Sequence, residues 1–317
     1  MAEIFLTPFQ DKELLANETE GNYSSVHGYV EYDLLYWINF FVSFLGCIEN
    51  GLVIWLLGFH IKRNPFSVYI LNLAIADFSF LLCVFCLSIF HIVEHDNDIT
   101  GADIIIEVTE LIMEFGYNTG LYLLTAISLE RCLAVLCPIW YKCRRSGHQS
   151  TIVCVLIWVL AFLITPMECL MDLVCPIVVL SSSLFHCLFF VPLMVMSSVV
   201  LLVKVNKTAV RSPSSQLYLV VVTSVFIFLF FAMPVRVYYI FEMIFRPGEP
   251  YHLYHATILL STINSSINPL IYLLVGSRKE KKFRESIKVV LRRALDDDAG
   301  SDHQVIDNPN PLNTTTS

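Results

Sequence analysis

Seven long apolar runs dominate this sequence and decide what it can fold into. Each run is long enough to cross the roughly 30 Å hydrocarbon core of a bilayer as a helix, which needs about 20 residues. Every backbone polar group in such a run must be hydrogen-bonded within the protein, and a helix achieves this within one segment. The pattern therefore predicts an all-α membrane protein with a seven-transmembrane helix bundle. The runs lie at 34–59, 66–93, 104–137, 150–172, 177–203, 217–245 and 252–275.

The composition agrees with this class and argues against a soluble globule. Of the 317 residues, 56% are hydrophobic and 15% are charged, whereas soluble domains are roughly 45–50% apolar. The ten cysteines fall mostly inside the apolar runs, and they do not form the two Cys-x-x-Cys pairs of a structural zinc site. Nothing in the sequence therefore points to a metal, a cofactor or a nucleic acid partner.

The basic residues are sorted to one side of the predicted membrane. All Lys and Arg residues except Lys12, Arg236 and Arg246 fall in or beside segments that the alternating topology places on one side. The positive-inside rule then predicts an extracellular N-terminus and a cytoplasmic C-terminus. The acidic tail 1–33 shows no cleavable signal peptide and contains two sequons, so Asn17 and Asn22 are predicted to be glycosylated.

The chain beyond the seventh run divides into two predicted parts. Residues 276–295 place apolar side chains on one stripe and Lys or Arg on the other, which is typical of an amphipathic helix on the membrane surface. Residues 296–317 are acidic and then rich in Asn, Pro and Thr, so they are predicted to form a disordered cytoplasmic tail. The membrane domain is thus expected at 34–275.

Several polar residues lie inside the predicted spans, where ionisable groups are costly and usually functional. Ser261–Tyr272 contains two asparagines, four Ser or Thr residues and Pro269, which cannot donate to the helix ladder. Taken alone, this stretch is either a kinked helix packed by small residues or a functional element. Asp77, Asn50 and Asn268 lie at similar depths and are predicted to form one polar cluster, which either holds three helices together or serves in function.

A set of landmark residues occurs in order along the seven runs. It comprises Asn50, Leu73-Ala-Ile-Ala-Asp77, Glu130-Arg131-Cys132, Trp158, Pro192, Pro234 and Asn268-Pro-Leu-Ile-Tyr272. This set resembles that of the rhodopsin-like (class A) G-protein-coupled receptors, over roughly residues 34–295. Two further phrases, Phe115-Gly-Tyr-Asn-Thr-Gly-Leu-Tyr122 and Ser261-Thr-Ile-Asn-Ser-Ser266, resemble the Mas-related branch of that class.

The resemblance implies a plasma-membrane receptor that passes an extracellular signal to a heterotrimeric G protein. The implied ligand is a peptide or a cationic small molecule, Gq is the favoured G protein with Gi as the alternative, and arrestin is a further partner of the C-terminal tail. Membrane lipid surrounds the bundle. The implied activation switch comprises Glu130, Arg131, Asn268, Pro269, Tyr272, Asp77 and Asn50, with Phe228, Pro192 and Leu121 as the connector beneath the ligand cavity.

The sequence departs from the class pattern at several positions. Ala232 stands where the class has a tryptophan switch, and no cysteine lies near Ile106, where the usual disulfide begins. The Mas-related branch instead joins its fourth and fifth spans by a disulfide. Here Cys175 matches one of those cysteines, but Asp172 occupies the partner position. Either Cys169 bonds with Cys175, or Cys175 is a free thiol.

The sodium site of the class is incomplete in this chain. Asp77, Asn264, Ser265 and Asn268 match its ligands, but Gly120 stands where a serine of the third span is usual. The resemblance therefore implies a partial sodium site.

Acidic residues at the predicted outer side suggest a cationic ligand. Glu168 matches a glutamate with which Mas-related receptors bind cationic agonists, and Glu110 and Glu114 are spaced to share one face of the third span. An acidic mouth steers cations inward. Arg236 either binds an anion such as a peptide carboxylate or neutralises a nearby glutamate, and we favour the second interpretation. With Asp172, these residues form the candidate ligand site.

Other function classes are less consistent with the sequence. A transporter is expected to show internal repeats with broken helices, and the seven runs are dissimilar. A retinal protein needs a lysine in the seventh span, and none occurs between Tyr251 and Val275. No cluster of nucleophile, base and metal ligands suggests an enzyme. The remaining alternative is a receptor fold that signals without ligand or modulates another receptor by pairing with it.

Overall fold

The computed structural model describes residues 34–61, 64–94, 103–144, 148–172, 176–207, 213–245 and 251–277. The predicted tail 1–33, the predicted surface helix beyond Ser277 and the tail 296–317 lie outside the described residues. All seven apolar runs form helices, and each end agrees with the predicted run to within four residues. Six of these helices are long and apolar enough to cross a membrane, and the seventh has 27 residues.

The long helices are numbered here together with one short helix that was not predicted. Helices α1 to α3 span Leu34–His60, Pro65–Glu94 and Asp103–Leu136, and the short α4 is Pro138–Arg144. Helix α5 is Gln149–Asp172, α6 runs from Pro176 to Lys207, α7 runs from Pro213 to Phe245, and α8 is Tyr251–Ser277. The described residues thus form a helical bundle, as predicted.

Prolines and a cap explain where several helices begin. Pro65, Pro138, Pro176 and Pro213 are each the first residue of a helix, a position where the missing N–H costs no intrahelical hydrogen bond. At the start of α2 the backbone N–H of Ser67 donates to Asn64 Oδ1 at 2.7 Å. The backbone N–H of Asn64 in turn donates to Ser67 Oγ at 2.8 Å, so the two residues cap each other.

Two helices widen into π-helical turns next to a proline. In α6 the turn is His186–Phe190, directly before Val191 and Pro192, and in α7 it is Phe228–Ala232, before Pro234. A proline ring cannot continue the normal ladder, and a π turn is one way to accommodate it. The Met233 N–H accordingly donates to Phe228 O, five residues back, at 3.1 Å.

Helix α3 lies at the centre of the bundle, in contact with α2, α5, α6 and α7. Its inward face buries polar residues completely, among them Asn118, Thr119 and Ser128. Large apolar side chains such as Phe230 and Phe162 are exposed on the outside instead. This inverted arrangement suits a chain whose outer surface contacts lipid.

A seam of polar contacts joins α1 to α8. Tyr36 OH lies 3.1 Å from His255 Nε2, and Thr262 Oγ1 donates to Asn39 Oδ1 at 3.2 Å. Further down, Ser266 Oγ donates to the Val42 carbonyl at 3.3 Å. The two backbones approach closely beside this last contact, because a Cβ added at Gly46 would collide with Ser266 Oγ.

Candidate functional site

A charged cluster lies within the bundle where α3, α5 and α7 meet. Arg236 Nη2 is 3.2 Å from Glu114 Oε2 and 3.9 Å from Glu168 Oε2, and the arginine side chain is 2% exposed. Arg236 also donates a hydrogen bond to Asn118 Oδ1. The three charged residues predicted from the sequence are therefore brought together, and Arg236 contacts both carboxylates.

Asn118 completes this cluster, and the sequence interpretation gave it no role. Its Nδ2 donates to Glu168 Oε2 at 3.1 Å and to Thr165 Oγ1 at 3.0 Å. The signal that could have revealed it is the buried amide one helical turn below Glu114, on the same face of α3. Asn118 thus links the arginine to the fifth helix.

Aromatic side chains surround the Arg236 guanidinium. It lies over the ring of Tyr117 at 5.0 Å and over that of Tyr239 at 5.9 Å, distances at which a cation is attracted to a ring face. The Tyr239 hydroxyl donates to Glu114 Oε1 at 3.1 Å. The Tyr117 hydroxyl donates to the Ala232 carbonyl at 2.9 Å, within the π turn of α7.

A cavity borders this cluster and is lined by Glu114, Glu168, Cys169, Val179, Arg236 and Tyr239. Within the described residues, Glu168 Oε1 is buried and has no hydrogen-bond partner. The lining carries two carboxylates and one guanidinium, so its formal charge is negative. A residue that lines the cavity therefore carries a desolvated carboxylate oxygen without a donor among the described residues.

The other ligand candidates lie further out. Glu110 lines a separate cavity between α1, α2, α3 and α8. Asp172 is the last residue of α5, and its side chain lies outside the described part. Cys169 is exposed and Cys175 lies outside the described residues. The Cys169–Cys175 bond and the glycans on Asn17 and Asn22 remain predictions.

The predicted polar cluster at mid-membrane divides into two linked contacts. Asn268 Nδ2 donates to Asp77 Oδ2 at 2.8 Å. Asn50 Nδ2 instead donates to the Ser265 carbonyl at 3.1 Å. That carbonyl is four residues before Pro269, so the proline cannot pair with it, and Asn50 supplies the missing donor. Asn50 therefore satisfies the carbonyl that Pro269 leaves unpaired, and its amide donates to the Gly46 and Ser265 carbonyls rather than to Asp77.

The geometry around Asp77 offers only part of a cation site. Asn264 Oδ1 is buried and has no hydrogen-bond partner among the described residues. A Cβ at Gly120 would lie 3.9 Å from Asp77 Oδ1, so glycine faces the cluster where a serine hydroxyl is usual in the class. No group of three or more His, Cys, Asp or Glu in the described chain is arranged to hold a metal. Among the described residues, the side chains around Asp77 therefore lack the hydroxyl donor that a serine at position 120 would supply.

At the other end of α3, Arg131 is held in a closed triangle. Its Nη2 lies 3.2 Å from Glu130 Oε1 and donates to the Tyr141 hydroxyl at 2.6 Å. The Tyr141 hydroxyl donates to Glu130 Oε1 at 2.8 Å. The guanidinium also lies 5.1 Å from the Phe66 ring centre. Tyr141, in the unpredicted helix α4, is the member that sequence reasoning missed.

The connector residues lie between these two ends. Leu121, Phe228 and Tyr272 are buried, and the Phe228 ring lies 6.2 Å from that of Tyr117. Pro192 follows the π turn of α6, in which His186 Nε2 is 2.9 Å from the Tyr122 hydroxyl. His186 is therefore buried against α3.

Comparison of the sequence with known proteins places this chain in a family. A family model described as 7 transmembrane receptor (rhodopsin family) matches residues 49–272. Proto-oncogene Mas of Mus musculus is 44% identical over 297 residues, covering 90% of this chain and 91% of that protein. The Homo sapiens protein of that name is 43% identical over 305 residues, with 92% and 93% covered. Mas-related G-protein coupled receptor member H of Rattus norvegicus is 39% identical over 312 residues, with 92% of each chain covered. The chain therefore belongs to the rhodopsin family of seven-transmembrane G-protein-coupled receptors, within the group of Mas and Mas-related receptors, and is a receptor rather than an enzyme.

Proposed function

We propose that this receptor responds to an extracellular cationic ligand, a basic peptide or a cationic small molecule, and that Glu168 is its anchor. The observation that carries the proposal is that Glu168 lines the cavity while its Oε1 is buried and has no hydrogen-bond partner among the described residues. A buried carboxylate oxygen left without a donor is costly. An ammonium or guanidinium group of the ligand would remove that cost.

Arg236 Nη2 is already paired within the protein, which favours a neutralising role, although Arg236 Nε is buried without a hydrogen-bond partner among the described residues. Its Nη2 already contacts Glu114 and Asn118 and lies 3.9 Å from Glu168. One guanidinium offsets one of the two carboxylates, which leaves a formal charge of −1 for the ligand to neutralise. Arg236 therefore holds the two glutamates together, and the acidic Glu110 nearer the mouth favours the approach of cations.

Tyr117 connects this site to the helix that lacks the tryptophan switch. Its ring lies under the Arg236 guanidinium, and its hydroxyl binds the carbonyl of Ala232, the position where the class has tryptophan. Its ring also lies near Phe228. A ligand that displaces Arg236 would shift Tyr117 and, through it, the π turn of α7. Tyr117 thus links the ligand site to α7, the role that the tryptophan side chain has in other receptors of the class.

The inner end carries the output of the switch. In our proposal the Arg131 triangle with Glu130 and Tyr141 favours the inactive packing, and its opening frees Arg131 to contact the G protein. The hinge of α8 is the turn around Pro269. It is held by the contact between Asp77 and Asn268 and by Asn50, which donates to the carbonyl that Pro269 leaves unpaired. Tyr272 moves when this turn changes its conformation. An agonist shifts this equilibrium only by its differential affinity for the two packings.

The wider assignments follow from the family and the charge pattern. We place the receptor in the plasma membrane with residues 1–33 outside, glycosylated on Asn17 and Asn22, and with the C-terminus inside. We further propose that residues 276–295 lie on the membrane surface as an amphipathic helix and that arrestin contacts the tail 296–317. Gq is the favoured G protein and Gi the alternative.

The variant Glu168→Gln tests the anchor. The matched control is Glu107→Gln, because Glu107 is an exposed glutamate at the outer end of α3 that lines neither cavity. Both variants and the wild type are expressed at equal surface density, and calcium release is recorded against a panel of basic peptides and cationic amphiphiles. We expect Glu168→Gln to lose at least about tenfold in potency, the value of one charge-assisted contact, and Glu107→Gln to match wild type. An unchanged dose–response for Glu168→Gln refutes the proposal. High basal signalling that no panel member changes points instead to a ligand-independent receptor.

A further inference from the structure

A second cavity opens at the same end of the bundle, between α1, α2, α3 and α8. Its walls include Tyr36, His91, Glu110, Tyr254 and His255. It shares no lining residue with the cavity at Glu168. The two cavities are therefore separate spaces on either side of the outer turns of α3.

Aromatic rings form much of this outer cavity. The rings of Tyr36 and His91 are stacked at 4.6 Å, and Tyr254 meets His255 edge to face at 5.3 Å. The Tyr36 hydroxyl, 3.1 Å from His255 Nε2, joins the two pairs. Rings held in this way present faces and edges in fixed orientations, and ring faces attract organic cations.

Glu110 supplies the charge of this cavity. It is the one carboxylate among the described lining residues, which include no Lys or Arg. With the imidazoles counted as neutral, the lining therefore carries a formal charge of −1. The cavity at Glu168, which we call the deeper cavity, also has a formal charge of −1, because Arg236 offsets one of its two carboxylates. Each cavity is thus suited to one positive group.

The two sites are joined along one face of α3. Glu110 and Glu114 are four residues apart, which is about 6 Å along a helix axis. Tyr239, bound to Glu114, and Tyr254, on the wall of the outer cavity, have ring centres 6.4 Å apart. The two cavities are therefore adjacent, with these two tyrosines between them.

We propose that the outer cavity is a second cation subsite, in which Glu110 and the surrounding rings bind the second positive group of a dibasic ligand. This inference rests on the proposed function, because the first positive group of the ligand sits at Glu168. It also predicts specificity, because the affinity of a dibasic ligand then depends on the distance between its two positive groups. A ligand with one positive group fills the deeper cavity alone and is bound more weakly.

Peptides that differ by one charge test this prediction. The probes are N-acetylated, C-amidated peptides with two arginines separated by zero to four glycines, together with peptides in which either arginine is replaced by its neutral analogue citrulline. Potency is measured on wild type, Glu110→Gln and the control Glu107→Gln. At the best spacing we expect the dibasic peptide to be about tenfold more potent than either citrulline peptide on wild type. Glu110→Gln removes that advantage, whereas Glu107→Gln keeps it.

A charge exchange provides a second test that requires a gain of response. Glu110→Lys should prefer a peptide with glutamate in place of the second arginine, so loss of folding cannot imitate the result. The inference is overturned if no spacing gives an advantage on wild type, or if Glu110→Gln retains it. If the proposal for Glu168 is wrong, the result is different. The singly charged peptides would then be inactive on wild type, or their potency would not change with Glu168→Gln.

Discussion

Replacing Arg236 by methionine should destabilise the receptor, because it leaves Glu114 and Glu168 facing each other without a counter-charge. The arginine is 2% exposed and lies 3.2 Å and 3.9 Å from the two carboxylates. Breaking a buried ion pair by removing one partner costs about 3–5 kcal/mol. Methionine keeps most of the side-chain length, so the loss reflects charge and hydrogen bonding more than volume.

The expected change in melting temperature follows from this free energy. Domains of 150–250 residues lose roughly 2–4 °C per kcal/mol, so Arg236→Met should melt about 6–20 °C below wild type. Arg236→Lys keeps the charge but replaces the planar guanidinium and its five N–H donors by an ammonium with three, so it should lie between the two. Adding Glu114→Gln to Arg236→Met removes one of the two negative charges and should recover about half of the loss.

The measurement is thermal survival of detergent-solubilised receptor, followed by size-exclusion chromatography after heating. The wild type, Arg236→Met, Arg236→Lys and the Arg236→Met/Glu114→Gln double variant are compared at equal concentration. The double variant is the decisive sample, since only an electrostatic cause predicts that a second substitution restores stability. An Arg236→Met protein that melts within about 2 °C of wild type, or a double variant no better than the single one, refutes the reasoning.

Two further predictions concern the inner triangle and the seam between α1 and α8. Tyr141→Phe removes the hydroxyl that bridges Arg131 and Glu130, and it should raise basal nucleotide exchange in membranes by up to about tenfold; unchanged basal exchange at equal surface density contradicts a restraining role. Gly46→Ala places a methyl against Ser266 and should lower the yield of monodisperse receptor by more than half, and Ser266→Gly in the same chain should restore part of that yield. Normal yield for Gly46→Ala would show that the helices can separate at no cost.

The helices could be predicted from the sequence because crossing a membrane is a local property. Length and hydrophobicity fix each span by itself, and the observed ends lie within four residues of the predicted ones. The short helix α4 was missed because Pro138–Arg144 lies on the loop between two spans, where hydropathy carries no signal. Proline marked the sites of both π turns in α6 and α7, although their form could not be deduced.

The candidate site could be predicted only as far as its charges. Glu114, Glu168 and Arg236 stand out because an ionisable group inside a span is rare. Asn118 and Tyr141 were missed because an amide or a phenol in a helix becomes informative only when its partner on another helix is known. Asn50 was assigned to the Asp77 cluster by depth, and its actual partner, the Ser265 carbonyl, depends on how α1 and α8 pack.

The polar seam between the first and last spans has a consequence for how the receptor is made. Asn39 and Thr262, one of the pairs in this seam, are 223 positions apart in the sequence. Helix α1 therefore enters the membrane long before α8 is synthesised. Until then Asn39 and Asn50 have no seam partner, and burying them in lipid is unfavourable. The bundle is therefore completed by its final helix, and a chain that stops before Tyr251 should be retained and degraded by cellular quality control.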